Sequence, residues 1–386
     1  MQQLFGEAGA DRSAPFTEPQ QTERLARYFS QLGVAQALLE LARPAEALEA
    51  LAEAACDNCQ QAQPHTHLTR LSVCAERCAH FDQYNPGYAG FEKKGARLRA
   101  AALELARAAH LAIAQAEITA ASPNLATART HWQAALALAQ ELAEAARTQH
   151  EIGAMVLGRS QALQRRDKLD AAIELLEQAQ DLCREPELKG RLAECLVERG
   201  VAAANDEPPR WEAAVRDLRR AVRLNPHAPR ARINLCAALL LWAGEYYERD
   251  DAVPAIALLE EASRCAREGL AFNQHNAQLR EKLEEAVAGL SIVHNQRGVW
   301  LAEQEDWEAA LNELEKALKL TPAEETVQQN LQSLLGSYAM ALVGQGALEE
   351  ALGMLGRALR RFYEYPAVRA EIAKLQLMLS LLGGRR

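Results

Sequence analysis

The stretch RGVWLAEQEDWEAALNELEKALKLTP, residues 297–322, decides the fold. Gly298 leaves the first half without a side chain at one point, so a second helix can come close. Trp307 opens that second helix, and Ala310, Leu314 and Ala317 follow at i, i+4 and i+7, a single apolar stripe. Pro322 ends it, because proline cannot continue the hydrogen-bond ladder. The segment therefore reads as two helices joined by a tight turn.

Working outward, the same stripe recurs as Ala47/Leu51/Ala54, Ala128/Trp132/Ala135, Ala172/Leu176/Ala179, Ala214/Leu218/Ala221, Ala255/Leu259/Ala262 and Ala351/Leu355/Ala358. Successive stripes start 81, 44, 42, 41, 55 and 41 residues apart. A second order lies inside the first: Trp211, Ala214, Pro226, Asn234 and Ala255 each reappear 96 residues later as Trp307, Ala310, Pro322, Asn330 and Ala351. Composition agrees with a helical reading throughout. About a fifth of the 386 residues are alanine and only 5% are aromatic. Alanine is the best helix former and β-branched residues are scarce, which argues against any sizeable sheet and against the sheet-based enzyme scaffolds.

These hairpins resemble tetratricopeptide repeats: the small residue in the first helix, the Ala-x3-Leu-x2-Ala stripe in the second and the closing proline all match that family. The resemblance implies an all-α fold, an α-solenoid of seven or eight stacked antiparallel hairpins. It also implies a concave groove, lined by first helices, that holds an extended segment or a partner helix. The family repeats every 34 residues or so, and the intervals here are longer. Asn234 to Ala255 and Asn330 to Ala351 each span 21 residues, about seven more than the family spacing gives, or roughly two helical turns. We read residues ~195–386 as a tandem duplication of a two-repeat unit whose second hairpin has a lengthened, protruding first helix. The expected organisation is a leader over 1–20, an N-terminal hairpin over 21–55, a Cys/His-rich insertion or degenerate repeat over 56–95 and divergent repeats over 96–194. The duplicated units over 195–386 end in a capping helix, Pro366 to Leu382.

The insertion carries the sharpest site candidate, Cys56-x2-Cys59-x14-Cys74-x3-Cys78, with His65, His67 and His80 nearby. Two close thiol pairs joined by a loop suit a tetrahedral Zn2+, a structural cofactor here, although the x3 spacing departs from the usual x2. The same spacing is similar to twin Cys-x3-Cys hairpins, with disulfides Cys56–Cys78 and Cys59–Cys74, and it also suits small residues packed at a helical turn. A zinc- or redox-responsive regulator is the alternative function these residues raise.

A basic segment supplies the second candidate: Arg210, Arg216, Arg219, Arg220, Arg223, Arg230 and Arg232 face only Glu212 and Asp217 nearby in sequence. Such arginines could grip an acidic peptide or a terminal carboxylate. A later cluster is Arg357, Arg360, Arg361 and Arg369. Chaperone adaptors of the resembled family carry Lys-x3-Asn. Here Ser291 and Thr326 stand four residues before Asn295 and Asn330, and Arg230 stands before Asn234. The resemblance places Asn234 and Asn330 toward the groove, so these asparagines and Asn295 are the candidate contacts.

Net charge is −9, spread along the whole chain, with no strongly basic segment and no aromatic stacking pattern, so nucleic acid is not the expected partner. No phosphate loop, His-Glu-x2-His or Gly-x-Ser-x-Gly appears, and histidines 110, 131, 150, 227, 275 and 294 are isolated in helical stretches; no enzyme is expected. The most apolar run, Ile233 to Gly244, is too short to span a bilayer. The start lacks a signal peptide, so the expectation is a cytoplasmic scaffold or adaptor, chaperone-associated or otherwise, without membrane insertion.

Overall fold

The computed structural model describes residues 30–54, 89–183 and 185–383. Among them are fifteen α-helices and no strand: α1 (30–40), α2 (Pro44–Ala54), α3 (Ala89–Thr119), α4 (Leu125–Glu141), α5 (Ala145–Gln164), α6 (Leu169–Gln180), α7 (Pro186–Ala204), α8 (Trp211–Leu224), α9 (Pro229–Glu248), α10 (Ala252–Phe272), α11 (Ala277–Glu303), α12 (Trp307–Leu320), α13 (Glu325–Gly344), α14 (Leu348–Arg361) and α15 (Pro366–Gly383). They form seven antiparallel hairpins, odd-numbered first helix and even-numbered second helix, plus α15. The chain divides into two compact units, Met1–Cys195 and Leu196–Arg386, with the division inside α7.

All seven stripes sit on second helices, α2, α4, α6, α8, α10, α12 and α14. Every stripe residue whose side chain is described has 5% or less of its surface exposed. The packing reason is visible at Gly298: a Cβ there would lie 2.8 Å from Leu314 Cγ and 3.3 Å from the Ala310 carbonyl oxygen. Gly200 stands in the same relation to Leu218 and Ala214, at 2.9 and 3.1 Å. Small residues on both helices bring the backbones together, and the stripe leucine fills the remaining space. The hairpins are tetratricopeptide-like, with divergent lengths.

In the first unit, α1 and α2 dock on α3 through Leu32, Ala35, Ala47 and Leu51 against Ala102, Leu103 and Ala106. α3 is 31 residues long and begins at Ala89, so the C-terminal end of the span read as an insertion is helix. Trp132 of α4 is fully buried.

In the second unit each helix packs on the next, and each first helix also touches the following first helix, α9 on α11, α11 on α13 and α13 on α15. α8 and α12 have 14 residues each, and α9 and α13 have 20 each. The expected lengthening is not confined to those two first helices. α5 also has 20 residues, α7 has 19, and α11 reaches 27. The 55-residue stripe interval now has an explanation. α10 is seven residues longer than α14 (21 against 14), and α11 is seven longer than α13 (27 against 20). Together they make up the 14 residues by which 55 exceeds 41. The two extensions pack on each other, since a Cβ at Gly269 would meet Leu279 at 2.7 Å.

Two loop types alternate in the second unit. Within the α9–α10, α11–α12 and α13–α14 hairpins, one residue takes a left-handed conformation: Asp250 (φ 57), Glu305 (φ 60) and Gly346 (φ 77). The following amide then bonds back to the helix, as Asp306 N–H does to Leu301 O at 3.0 Å, closing the αL turn that caps many helices. Between hairpins, Asn225, Asn273 and Thr321 stay extended and donate to the carbonyl four residues back, as Asn225 N–H does to Ala221 O at 3.0 Å and Asn273 N–H to Gly269 O at 3.1 Å.

Candidate interaction surface

The site is built from the side chains that first helices do not bury. On α11 the buried face carries Leu290, Ser291, Val293, His294 and Gly298. The opposite stripe, Ala288, Ile292, Gln296 and Trp300 at intervals of four, is exposed. Ile292 is 53% exposed and Trp300 57%. Leu241 on α9, Met340 on α13, and Leu377, Met378 and Leu381 on α15 are exposed as well. The second helices α8, α12 and α14 expose no large hydrophobic side chain among the described residues. In the second unit, then, bare apolar surface belongs mainly to first helices and the capping helix, with Val253 and Phe272 at the two ends of α10.

Asn330 Nδ2 donates to Asn295 Oδ1 at 3.0 Å, linking the neighbouring first helices α13 and α11 beside this surface. Asn234 turns instead to its own helix, donating to the Arg230 carbonyl at 3.0 Å. The arginines of residues 210–232 do not converge on one spot. Arg219 makes a two-pronged pair with Glu261 on α10, 2.6 Å from Nε. Arg210 pairs with Asp206 at 2.5 Å, and Arg216 lies 3.8 Å from Asp217. Arg232 is buried, donating to the Pro226 carbonyl at 3.2 Å and to Glu268 at 3.1 Å. Arg220 is half-buried and already engaged, whereas Arg223 and Arg230 are exposed. Of the later cluster, Arg361 reaches Glu315 and Asn312 on α12, and Arg369 stacks over Tyr363 at 5.1 Å.

Periodicity alone missed the buried polar pairs. Asp217 and Glu313 hold the same place in α8 and α12, 96 residues apart, and both are buried. Arg199 Nε donates to Asp217 at 2.6 Å, and His294 Nδ1 contacts Glu313 at 2.6 Å. Burial raises the Glu313 carboxyl, but hydrogen bonds from Lys316 and His294 outweigh it and hold the group below its usual value. An acid three residues after the stripe alanine in both copies was the sequence signal. In the first unit, His110 and His131 bring their Nδ1 atoms to 2.7 Å, so one ring must donate and the other accept. Beside them buried Arg107 bonds Glu104 at 2.8 Å, Thr148 at 3.2 Å and Glu151. A cleft of about 660 Å³, lined by Ile118, Asn124, Arg129, Leu163, Glu174 and Gln178 among others, opens between the two hairpins of α3–α6.

Cys56, Cys59, Cys74 and Cys78 lie outside the described residues, as do His65, His67 and His80. Among the described residues no three His, Cys, Asp or Glu side chains come together as a metal-holding group. No described helix is long and apolar enough to cross a membrane.

No family model matches the chain, and no curated relative matches it. Solved structures with related helical folds include the TPR domain of P58(IPK), at 16% identity and TM-score 0.29, covering 93% of this chain and 99% of that one. A thermophilic TPR protein of Thermus thermophilus aligns at 21% identity and TM-score 0.23, covering 57% of this chain and 97% of its own. The human IFIT1 dimer with m7Gppp-AAAA aligns at 14% identity and TM-score 0.21, covering 96% and 97%. None of the three superposes beyond a TM-score of 0.29, so the architecture stands on the helix pairing and packing of this chain itself.

Proposed function

We propose that the chain is a non-enzymatic interaction scaffold that holds a partner peptide or helix along the first-helix face of its second unit. One observation carries the reading: large exposed apolar side chains concentrate on α9, α11, α13 and α15, while α8, α12 and α14 show none among the described residues. Desolvating Ile292, Trp300 and Met340 supplies the affinity: each is about half exposed, so covering it is worth roughly 1–1.5 kcal/mol, half the value for full burial. The linked amides of Asn295 and Asn330 border this surface, where they can fix the register of a bound backbone. Arginine plays a lesser part than the sequence suggested, since Arg219 and Arg232 already serve carboxylates within the fold.

The test is cross-linking mass spectrometry on complexes purified from the native cell, with the wild-type chain beside Ile292→Asp plus Trp300→Asp. Cross-links should fall on α9, α11 and α13, and the double variant should lose its partner while keeping its helical content. Cross-links confined to α8, α12 and α14, with recovery unchanged in the variant, would overturn the proposal.

A further inference from the structure

Two of the four described cysteines share one place. Cys236 of α9 and Cys265 of α10 are both buried, at 0% and 7% exposure, and each is the largest influence on the other's thiol. Cys236 Sγ lies 3.5 Å from the Ala262 carbonyl oxygen, one turn from Cys265 on the same helix. Arg232, one turn before Cys236, puts Nη1 4.0 Å from Cys265 Sγ and 3.4 Å from the Cys265 carbonyl. A buried guanidinium, itself 5% exposed, thus faces one sulfur of a neighbouring pair.

The geometry points to Cys236 and Cys265 as a dithiol oxidation site, in which a peroxide oxidises Cys265 and Cys236 closes an intrahairpin disulfide. The Cys265 thiolate attacks hydrogen peroxide, the O–O bond breaks, and Cys–S–OH forms as hydroxide leaves. The Cys236 sulfur then attacks that sulfenic sulfur. Its own proton and the departing hydroxide leave as water, and the S–S bond forms. The two cysteines give up two electrons, and the peroxide is reduced to two waters. The two thiols face each other from neighbouring helices within one turn of Ala262 and Arg232, and bond formation closes them to about 2.05 Å.

The roles are unequal for a physical reason. A hydrogen bond from Cys236 and the Arg232 charge together outweigh burial and lower the Cys265 thiol below its ordinary value. Cys236 is moved the other way, first by its bond to Cys265 and then by burial. By contrast, burial and the Glu185 charge push the Cys183 thiol up to about 11, which leaves it protonated and inert. Cys265 is also the less completely buried residue of the two, at 7% against 0% exposure.

The experiment treats the reduced full chain with stoichiometric hydrogen peroxide, blocks remaining thiols with N-ethylmaleimide at intervals, and maps the products by mass spectrometry. Among Cys183, Cys195, Cys236 and Cys265, the first product should be a linked Cys236–Cys265 peptide, 2 Da lighter than its two parts and reversed by dithiothreitol. Cys236→Ser should leave Cys265 as a sulfenic acid trapped by dimedone. That variant should fold, because Ser291 holds the equivalent place in the next hairpin and donates to Ala317 O at 3.2 Å. Arg232→Gln should slow the first step several-fold. The proposal fails if Cys183 or Cys195 reacts first, if the link forms only in urea, or if Cys265 gains no adduct in Cys236→Ser.

Discussion

Replacing Gly298 by alanine should destabilise the second unit, although alanine is the better helix former. The new Cβ would sit 2.8 Å from Leu314 Cγ, 3.1 Å from Leu314 Cδ2 and 3.3 Å from the Ala310 carbonyl oxygen. Leu314 is wholly buried, and its Cγ is near the backbone, so no flexible end can swing aside. Relief requires α11 and α12 to separate by several tenths of an ångström. Overpacking of that kind costs about 1–3 kcal/mol, and the helix propensity of alanine returns roughly 0.8–1 kcal/mol. The net loss is about 1 kcal/mol at the middle of those ranges and reaches about 2 kcal/mol at most. Gly336→Ala is the control: it sits inside α13 with nothing within 4 Å, so propensity alone acts and should add roughly 0.5–1 kcal/mol. For a unit of this size each kcal/mol moves the midpoint by about 2–4 °C. Stacked repeats can open locally, so calorimetry should be joined by hydrogen exchange across α11 and α12. Faster exchange there in Gly298→Ala, with slower or unchanged exchange in Gly336→Ala, is the expected pattern. If Gly298→Ala is as stable as the wild type, close backbone approach is not what holds this hairpin.

The hairpin turns give a paired test. Gly346 (φ 77) has open space around it, so Gly346→Ala should cost about 1 kcal/mol through conformation alone, whereas Glu305→Gly (φ 60) should gain up to ~1 kcal/mol; thermal shifts of the same sign would refute the αL argument. Acid should loosen the first unit through His131. Burial lowers its pKa, against a smaller opposing pull from Glu117. A depressed folded value means its contribution is present above the unfolded value, about 6.5, and is lost as pH falls through the folded one. His131 should therefore titrate below 6.5 by NMR, and His131→Gln should flatten the stability loss that begins as pH falls below about 6.5. An unchanged slope in that variant would assign the acid sensitivity elsewhere.

The hairpins were legible because their signal is short-range. Ala, Leu and Ala at i, i+4 and i+7 describe one face of one helix, and all seven stripes occupy second helices. The site was less legible, because its meaning depends on partners far along the chain. Arg219 reads as a free cation until Glu261, 42 residues later, takes both prongs of its guanidinium. Asn234 and Asn330 match at 96 residues, yet one bonds its own helix and the other bridges to Asn295. The reason is local: Asn295 stands three residues before Gly298, whereas the same place before Gly200 is held by Val197, a buried apolar side chain with no hydrogen bond to offer. Trp300 and Ile292 were overlooked for a different reason. An apolar residue off the stripe looks like more core in a helical sequence, and only the packed partner shows which face is left bare.

Within the second unit, the link lengths argue which face is inner. Successive second helices are joined by long side chains, Arg219 to Glu261 between α8 and α10 and Arg361 to Glu315 between α14 and α12. Successive first helices touch directly, and the α11–α13 link is two short amides meeting at 3.0 Å. Guanidinium and carboxylate arms can bridge a wide gap, whereas amides one methylene from the backbone bridge only a narrow one. The first helices are therefore the more closely spaced layer, and a stack spaced more closely on one side curves toward that side. Ile292, Trp300 and Met340 are exposed on helices of that more closely spaced layer. Surface of that kind is costly to leave in water, which is the physical ground for expecting a partner to cover it.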